Sequence, residues 1–376
     1  MPATTPYRRC WAEIDFSALR HNLARVRELI PPGAAVAVVL KANAYGHGLR
    51  QLAAELSGKV ELFAVANVAE ALEIREAAPG SRVLLLGPAL PEEREAIVRE
   101  NFLPVLSSFD EAQAYAALVS RLGGSRPLEV HLAVDTGMGR IGVWQDDAVE
   151  TARQIAALPG LRLAGAGTHL PSADEDAAWT REQLENWHAV VRALRAAGLR
   201  VPLLHSLNSA GTILFGTQEE SGMVRAGLML YGSSPIPEYQ ERLRPVLAWK
   251  TRVTLLRDVP AGRGVSYGRT FITPRPMRIA TLAVGYGDGY PRHLSNAGAE
   301  VLLAGRRCPV LGRVTMDQIM VDASAVLEVQ AGDEAVLLGR QDGGEILAAE
   351  LAAKAGTIAW EIFTGITDRV ARHYSS

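Results

Sequence analysis

Arg82-Val-Leu-Leu-Leu-Gly87 is aliphatic at four consecutive positions and shows no alternation that would mark a solvent face. A strand of this kind is covered on both sides, as in parallel sheets whose crossover helices pack on the faces. Similar short runs recur on either side of it, near 35–40, 62–66, 103–107, 128–134, 161–168, 202–207 and 223–231. With 82–87 they make eight, separated by amphipathic segments. The first such segment places Leu19, Leu23, Val26 and Ile30 three or four apart, one apolar stripe of a helix, with Ser17 as its expected N-cap. Eight βα units over about 220 residues suit a closed (β/α)8 barrel, a TIM-like fold of roughly 250 residues. An open doubly wound sheet is the alternative.

The pattern breaks at Ser233-Ser-Pro-Ile-Pro-Glu-Tyr-Gln-Glu-Arg-Leu-Arg-Pro245, which reads as a linker. Short β-branched runs with frequent glycine follow, such as Lys250-Thr-Arg-Val-Thr-Leu-Leu256, and predict a mainly β unit to about residue 340, with a helical tail from near Glu345. A chain of 376 residues exceeds one ordinary core. The expected division is an α/β barrel over 1–240 and a C-terminal mainly-β domain over 241–376.

A formal charge of −2 offers no electrostatic footprint for nucleic acid or an acidic membrane, which favours small-molecule chemistry. The apolar run Ala34 to Leu40 is far short of the roughly 18 residues that span a bilayer. Arg8 and Arg9 precede the charged Glu13 and Asp15 rather than an apolar stretch, so no signal peptide is expected and the cytoplasm is the default. Cys10 and Cys308 lack metal-type spacing, so both read as structural and no metal is expected.

In such a barrel the active site lies at the C-terminal ends of the strands. Lys41 ends the first run, Arg140 follows the fifth, His169 ends the sixth, Asn208 and Ser209 follow the seventh, and Arg225 and Tyr231 bracket the eighth. Taken alone, a lysine after a strand is a solvated surface residue. A buried amine, however, loses proton affinity and becomes a nucleophile toward an aldehyde. The residues after Lys41, Ala-Asn-Ala-Tyr-Gly-His-Gly48, add a hydroxyl and a flexible turn into the next helix, suited to a phosphate.

Val39-Leu-Lys-Ala-Asn-Ala-Tyr-Gly-His-Gly48 closely resembles the cofactor-lysine motif of alanine racemases, which use pyridoxal 5′-phosphate. Further stretches resembling that family follow in order: Asp135-Thr-Gly-Met-Gly-Arg-Ile-Gly142, Gly167-Thr-His169, Asn208-Ser209, Met223-Val-Arg-Ala-Gly227, Val265-Ser-Tyr-Gly268, Val284-Gly-Tyr-Gly-Asp-Gly-Tyr290 and Gly312-Arg-Val-Thr-Met-Asp-Gln318. The family's fold, a cofactor-binding barrel followed by a β domain, agrees with the architecture read from the strand pattern.

The resemblance implies an isomerase that interconverts L- and D-alanine by a two-base mechanism, supplying D-alanine for bacterial peptidoglycan. It implies that Lys41 carries the cofactor covalently, that Tyr45, Ser209 and the backbone of Gly227 and Leu228 hold its phosphate, and that Asn208 belongs to the same site. Lys41 would be one base and Tyr267 the other, with a polar chain Arg225–His169–Tyr267 favouring the ionised phenol, since an ordinary tyrosine has a pKa of about 10. Arg225 would face the pyridine nitrogen and leave it an acceptor, where related barrel decarboxylases use a carboxylate. Arg140 would reach the cofactor's phenolic oxygen and the substrate carboxylate, the Met316 amide would also bind that carboxylate, and Tyr286 would narrow the entrance. In the family Tyr267, Tyr286 and Met316 come from a partner subunit, so a homodimer is implied.

Two positions depart from family patterns. Asp368 stands where some members place a tyrosine on the phosphate. Ala133, seven residues before Arg140, stands where many have a carbamylated lysine, so Arg140 is expected to be partly buried and chloride is expected to take the missing anion's place. Rival readings are a racemase of another small amino acid such as serine, a related decarboxylase, and a non-catalytic pyridoxal-phosphate carrier, for which the second domain has no use. Gly137, Gly139 and Gly142 spell a dinucleotide fingerprint, but the next strand offers no acidic residue for a ribose.

Overall fold

The computed structural model describes residues 8–123, 126–216 and 222–376. Residues 1–7, on which part of the N-terminal reading rests, lie outside the described residues. Along the chain the strands are β1 (Cys10–Asp15), β2 (Ala35–Val39), β3 (Leu62–Val65), β4 (Val83–Leu85), β5 (Leu103–Leu106), β6 (Leu128–Asp135), β7 (Val143–Trp144), β8 (Leu161–Gly167), β9 (Leu203–His205) and β10 (Met223–Ala226). The parallel order is β10-β2-β3-β4-β5-β6-β8-β9, and the Arg225 amide donates to Leu207 O at 3.0 Å where the two ends of that order meet. The eight aliphatic runs of the sequence are the eight strands of this barrel-like sheet. β2, β3, β4 and β5 are buried at every position, because helices cover one face and the interior the other.

The helix Phe16–Glu28 buries Leu19, Leu23 and Val26 as the stripe requires. Its N-cap is Asp15 rather than Ser17: one Asp15 oxygen accepts from the amides of Ser17 at 2.7 Å and Ala18 at 3.1 Å. A carboxylate leaving an extended strand reaches the first free amides and also complements the helix dipole. Asn22 lies inside the apolar stripe and is fully buried. Its amide donates to Leu230 O and Arg244 O and its oxygen accepts from the Arg244 amide, which pins the linker to the barrel. That linker contains a short 3-10 helix, Pro237–Arg242.

Inside the barrel two imidazoles meet over β8. His131 on β6 and His205 on β9 lie 3.1 Å apart, Nδ1 to Nε2, although β8 runs between their strands. Gly165 and Gly167 make this possible: a Cβ on the first would sit 2.3 Å from the His131 ring, and on the second 2.1 Å from the His205 ring.

The second sheet uses β11 (Leu247–Val259), β14 (Met277–Leu282), β15 (Glu300–Leu303), β16 (Arg306–Leu311), β17 (Ile319–Asp322), β18 (Glu334–Gln341), β19 (Gly344–Ile346) and β20 (Ala371–Ser375), with β12 (Gly264–Val265) and β13 (Phe271–Ile272) as a separate hairpin. β1, which sequence reasoning missed, lies in this sheet, antiparallel to β11 and parallel to β20. The expected helical tail is present as Ala348–Ala355 and Ala359–Thr364, but the chain then returns to the sheet as β20.

Candidate active site

β2 ends in a turn that runs against the handedness of L-residues. Ala42, Asn43 and Ala44 have φ 53° with ψ 54°, 45° and 50°, and Tyr45 has φ 51°. Left-handed conformation costs about 1–2 kcal/mol per residue, so four in succession persist only when the surroundings hold them. The Asn43 side chain accepts from the Leu49 amide at 2.8 Å, the Gly48 amide reaches Asn43 O at 3.0 Å, and Glu70 accepts from the Ala42 amide at 2.7 Å. At the head of this turn Lys41 is half-buried, and its amine is held below the usual lysine range by burial, reinforced by the Arg140 charge and opposed by Glu70.

Tyr45 is buried with its ring 4.8 Å from that of Tyr231, whose hydroxyl donates to Val39 O at 2.6 Å. Burial pushes the Tyr45 phenol up to about 12, so it remains a donor at neutral pH. A Cβ on Gly227 would lie 3.1 Å from that hydroxyl. Ser209 Oγ accepts from the amides of Gly227 at 3.2 Å and Met229 at 3.3 Å, which ties the loop after β10 to the start of the helix Ser209–Phe215. Asn208 caps the helix Ser209–Phe215 through the Gly211 amide and donates to Leu170 O, so its side chain fixes the direction in which Ser209 points. Asp368 is exposed. Hydroxyls, backbone amides and a glycine in close approach form a cradle that fits a phosphate dianion.

Arg225 is buried and, among the described residues, has no carboxylate bonded to it. It donates to His205 Nδ1 at 2.5 Å, His169 Nδ1 at 3.1 Å, Thr168 O at 2.7 Å and Ser206 O at 3.1 Å. Burial pulls its guanidinium down to about 10, with Arg140 adding to the effect, which still leaves it charged near neutrality. Since guanidinium only donates, both histidines present an unprotonated Nδ1 to it. His205 must then carry its proton on Nε2 and give it to His131 Nδ1. The donor chain ends at His131 Nε2, which has no acceptor among the described residues. Burial is the main cause that pushes His131 and His169 down to about 3, and it drives His205 in the same direction, so all three are neutral near pH 7. A donor-only group of this kind fits a pyridine nitrogen that accepts. His131 and His205, isolated in aliphatic runs, carried no signal in the sequence that would separate them from core residues.

Arg140 is exposed and, among the described residues, makes no hydrogen bond or ion pair, contrary to the expected partial burial. Asp135 does not reach it. The Asp135 carboxylate instead accepts from the amides of Gly137 at 2.8 Å, Met138 at 2.9 Å and Gly139 at 2.8 Å. Those amides are therefore unavailable to a dinucleotide phosphate, which removes the fingerprint reading.

Tyr267, Tyr286 and Met316 lie on the second unit, and among the described residues their side chains make no hydrogen bond to the barrel. Ser266, next to Tyr267, donates to Arg313 O at 2.5 Å; the Tyr286 amide donates to Thr315 O at 3.0 Å, and the Gly287 amide to Met316 O at 2.8 Å. All three side chains are open to solvent, at 70%, 41% and 52% exposure.

A barrel with a half-buried lysine at a strand end, a phosphate cradle and a buried arginine, followed by a β unit, defines the class of amino-acid isomerases built on this two-part fold. Residues 14–235 match the model of the alanine racemase N-terminal domain and residues 246–374 that of the C-terminal domain. The chain is 44% identical to the alanine racemase of Symbiobacterium thermophilum over 98% of this chain and 97% of the relative. Among solved structures, it resembles the alanine racemase of D-cycloserine-producing Streptomyces lavendulae (TM-score 0.91, 33% identity, 99% and 98% of the two chains). It also resembles the Bartonella henselae alanine racemase with covalently bound pyridoxal phosphate (TM-score 0.88, 26% identity, 98% and 100%). This chain belongs to the alanine racemase family, whose activity is the racemisation of alanine.

Proposed function

We propose that this protein racemises alanine with two bases, Lys41 and Tyr267, working on opposite faces of the substrate, with pyridoxal 5′-phosphate as cofactor. The observation that carries the reading is the Arg225 guanidinium, buried among His169, His205 and two carbonyls with no carboxylate bonded to it among the described residues. When bound, the cofactor supplies an electron sink that acidifies the α-hydrogen. Arg225 leaves the ring nitrogen unprotonated and so limits that sink, which favours proton return over side reactions. This disfavours the decarboxylase reading.

Tyr45, Ser209 and the backbone of Gly227 and Leu228 would hold the phosphate, and Lys41 would bond the aldehyde carbon. Lys41 moves the proton on one face. Burial lowers its affinity for a proton, which favours the free amine that a base requires. Tyr267 moves it on the other, and His169, whose proton is fixed on Nε2 by Arg225, is oriented to donate to an ionised phenol. Arg140 and the Met316 amide bind the substrate carboxylate, and Tyr286 narrows the entrance, so that serine, larger by one hydroxyl, is a secondary substrate.

The exposed cluster of Tyr267, Tyr286 and Met316 supports a homodimer in which each second unit completes the partner's site. The functional division falls near residue 240, with 1–240 holding the cofactor and 241–376 supplying the second base. In the cell the product D-alanine would serve peptidoglycan, made from precursors in the cytoplasm. Chloride beside Arg140 takes the place of the anion that Ala133 does not provide, a reading supported by the diversion of Asp135 to backbone amides.

Incubation with L-alanine or D-alanine in deuterium oxide tests the proposal. Both should acquire α-deuterium and equilibrate, and borohydride should fix the cofactor to Lys41. An adduct on another lysine, or absence of α-exchange, overturns it.

A further inference from the structure

The carboxylate of Glu70 does two things at once. One oxygen accepts from the Ala66 amide at 2.9 Å, just before the helix Val68–Ala77, whose N-cap Asn67 accepts in return from the Glu70 amide at 3.0 Å. That exchange is an ordinary helix start. The second oxygen leaves its own loop and accepts from the Ala42 amide at 2.7 Å, the first residue of the left-handed turn.

Two other glutamates in the barrel make similar helix starts and stop there. Glu111 takes only the Ser107 amide and Glu93 only the Leu90 amide. Among the described residues, Glu70 alone uses its second oxygen to tie one βα loop to the next. Glu70 forms no ion pair with Lys41, so its hold on that residue is through the backbone. Ala42 follows Lys41 directly, and its φ of 53° is where the chain changes hand. Without the Glu70 acceptor the Ala42 amide loses the partner that keeps it there, and the neighbouring right-handed basin would swing the Lys41 side chain away from the strand end.

We infer that Glu70 is a positioning residue for Lys41, fixing the amine by holding the left-handed turn to the adjacent loop. The inference rests on the reading of Lys41 as the cofactor lysine. A displacement of the reacting group by about 1 Å costs on the order of 10²-fold in rate. The expected signature is therefore a fall in kcat with little change in the KM for alanine, together with a weaker visible circular dichroism band from the bound cofactor.

The experiment compares Glu70→Ala, Glu70→Gln and the control Glu93→Ala as purified holoenzymes. Each is measured for kcat, KM, visible circular dichroism and melting temperature, with borohydride mapping of the cofactor lysine. Glu70→Ala should lower kcat by roughly 10- to 100-fold and weaken the dichroism per bound cofactor. Glu70→Gln, which keeps one acceptor but turns a donor toward the other amide, should fall between it and wild type. Glu93→Ala should shift only the melting temperature. If Glu70→Ala does not fold, Glu70→Gln decides by the same readouts. A Glu70 variant with kcat within twofold of wild type and unchanged dichroism overturns the inference, as does an equal loss of kcat in Glu93→Ala. If wild-type borohydride mapping finds a different lysine, the Lys41 reading fails first and this inference falls with it.

Discussion

Arg225 lies 3.1 Å from Nδ1 of His169 and decides which nitrogen of that ring holds the proton. The consequence reaches the far side of the imidazole: Nε2 can only donate, and burial keeps the ring from taking a second proton. His169 is thus a fixed donor at the end of a rigid guanidinium, suited to stabilise an anion at the position proposed for the Tyr267 oxygen.

Removing that oxygen tests the assignment. Tyr267→Phe should keep the cofactor, since nothing in the phosphate cradle changes, and should lose roughly 10²–10⁴-fold in one direction of proton transfer. The check is the rate of α-deuterium uptake from each enantiomer separately. Equal and unchanged rates would reduce Tyr267 to a packing role.

Arg225→Glu should slow racemisation and produce a long-wavelength absorbance when alanine is added, because a carboxylate lets the ring nitrogen keep a proton. Stopped-flow spectra and assays of side products read the effect. Spectra and side-product rates identical to wild type would mean that Arg225 does not face the ring.

The buried histidines set an acid limit. His47 and His131 are pushed down to about 4 and about 3, chiefly by burial, whereas an unfolded histidine takes its proton near 6.5.

 Folded-state values depressed below the unfolded one mean that the unfolded chain binds more protons between them. The stabilising contribution is therefore complete above pH 6.5 and is lost as the pH falls from there toward about 3. At pH 5 each of the two should withdraw about 2 kcal/mol. Melting curves from pH 7.5 to 4.5 should show this decline, and His131→Gln should flatten it. A melting temperature that does not change across that range would contradict the burial of these rings.

Activity should rise with chloride at constant ionic strength and be indifferent to added bicarbonate, because Ala133 has no amine to carbamylate. Ala133→Lys should restore sensitivity to bicarbonate where the longer side chain fits. Flat activity from zero to saturating chloride, with no anomalous peak beside Arg140 in halide-soaked crystals, would rule the anion out.

The parallel sheet was legible because strands covered on both faces have to be aliphatic on both, as Arg82–Gly87 is, and the count of eight such runs favoured a closed barrel over an open sheet. β1 was missed for the opposite reason. Cys10-Trp-Ala-Glu-Ile-Asp15 is short, and its partners β11 and β20 lie more than two hundred residues further on, so nothing local announces a strand. Lys41, Ser209 and Arg225 stood out through their places at strand ends, and Tyr45 through the turn that follows Lys41. His131, His205 and Glu70 did not, since a buried histidine and a glutamate at a helix start have ordinary explanations, and only the spatial arrangement shows what their remaining atoms touch. The exposure of Arg140 was likewise hidden, because its neighbour Asp135 was free on paper and is bound to backbone amides in the fold.

The place of β1 between β11 and β20 also dictates an order of assembly during synthesis. All eight barrel strands have been made by residue 226, but β1 must wait for residue 247 before its first sheet partner exists, and for residue 371 before its second. At roughly 5–20 residues per second that wait lasts tens of seconds on the ribosome. Through it the apolar side chains of Trp11, Ala12 and Ile14, buried in the finished fold, have no sheet to enter. A nascent chain halted just after the barrel would thus hold a finished first unit and an unpaired, adhesive leading strand, the segment on which a chaperone or an aggregating neighbour would act first.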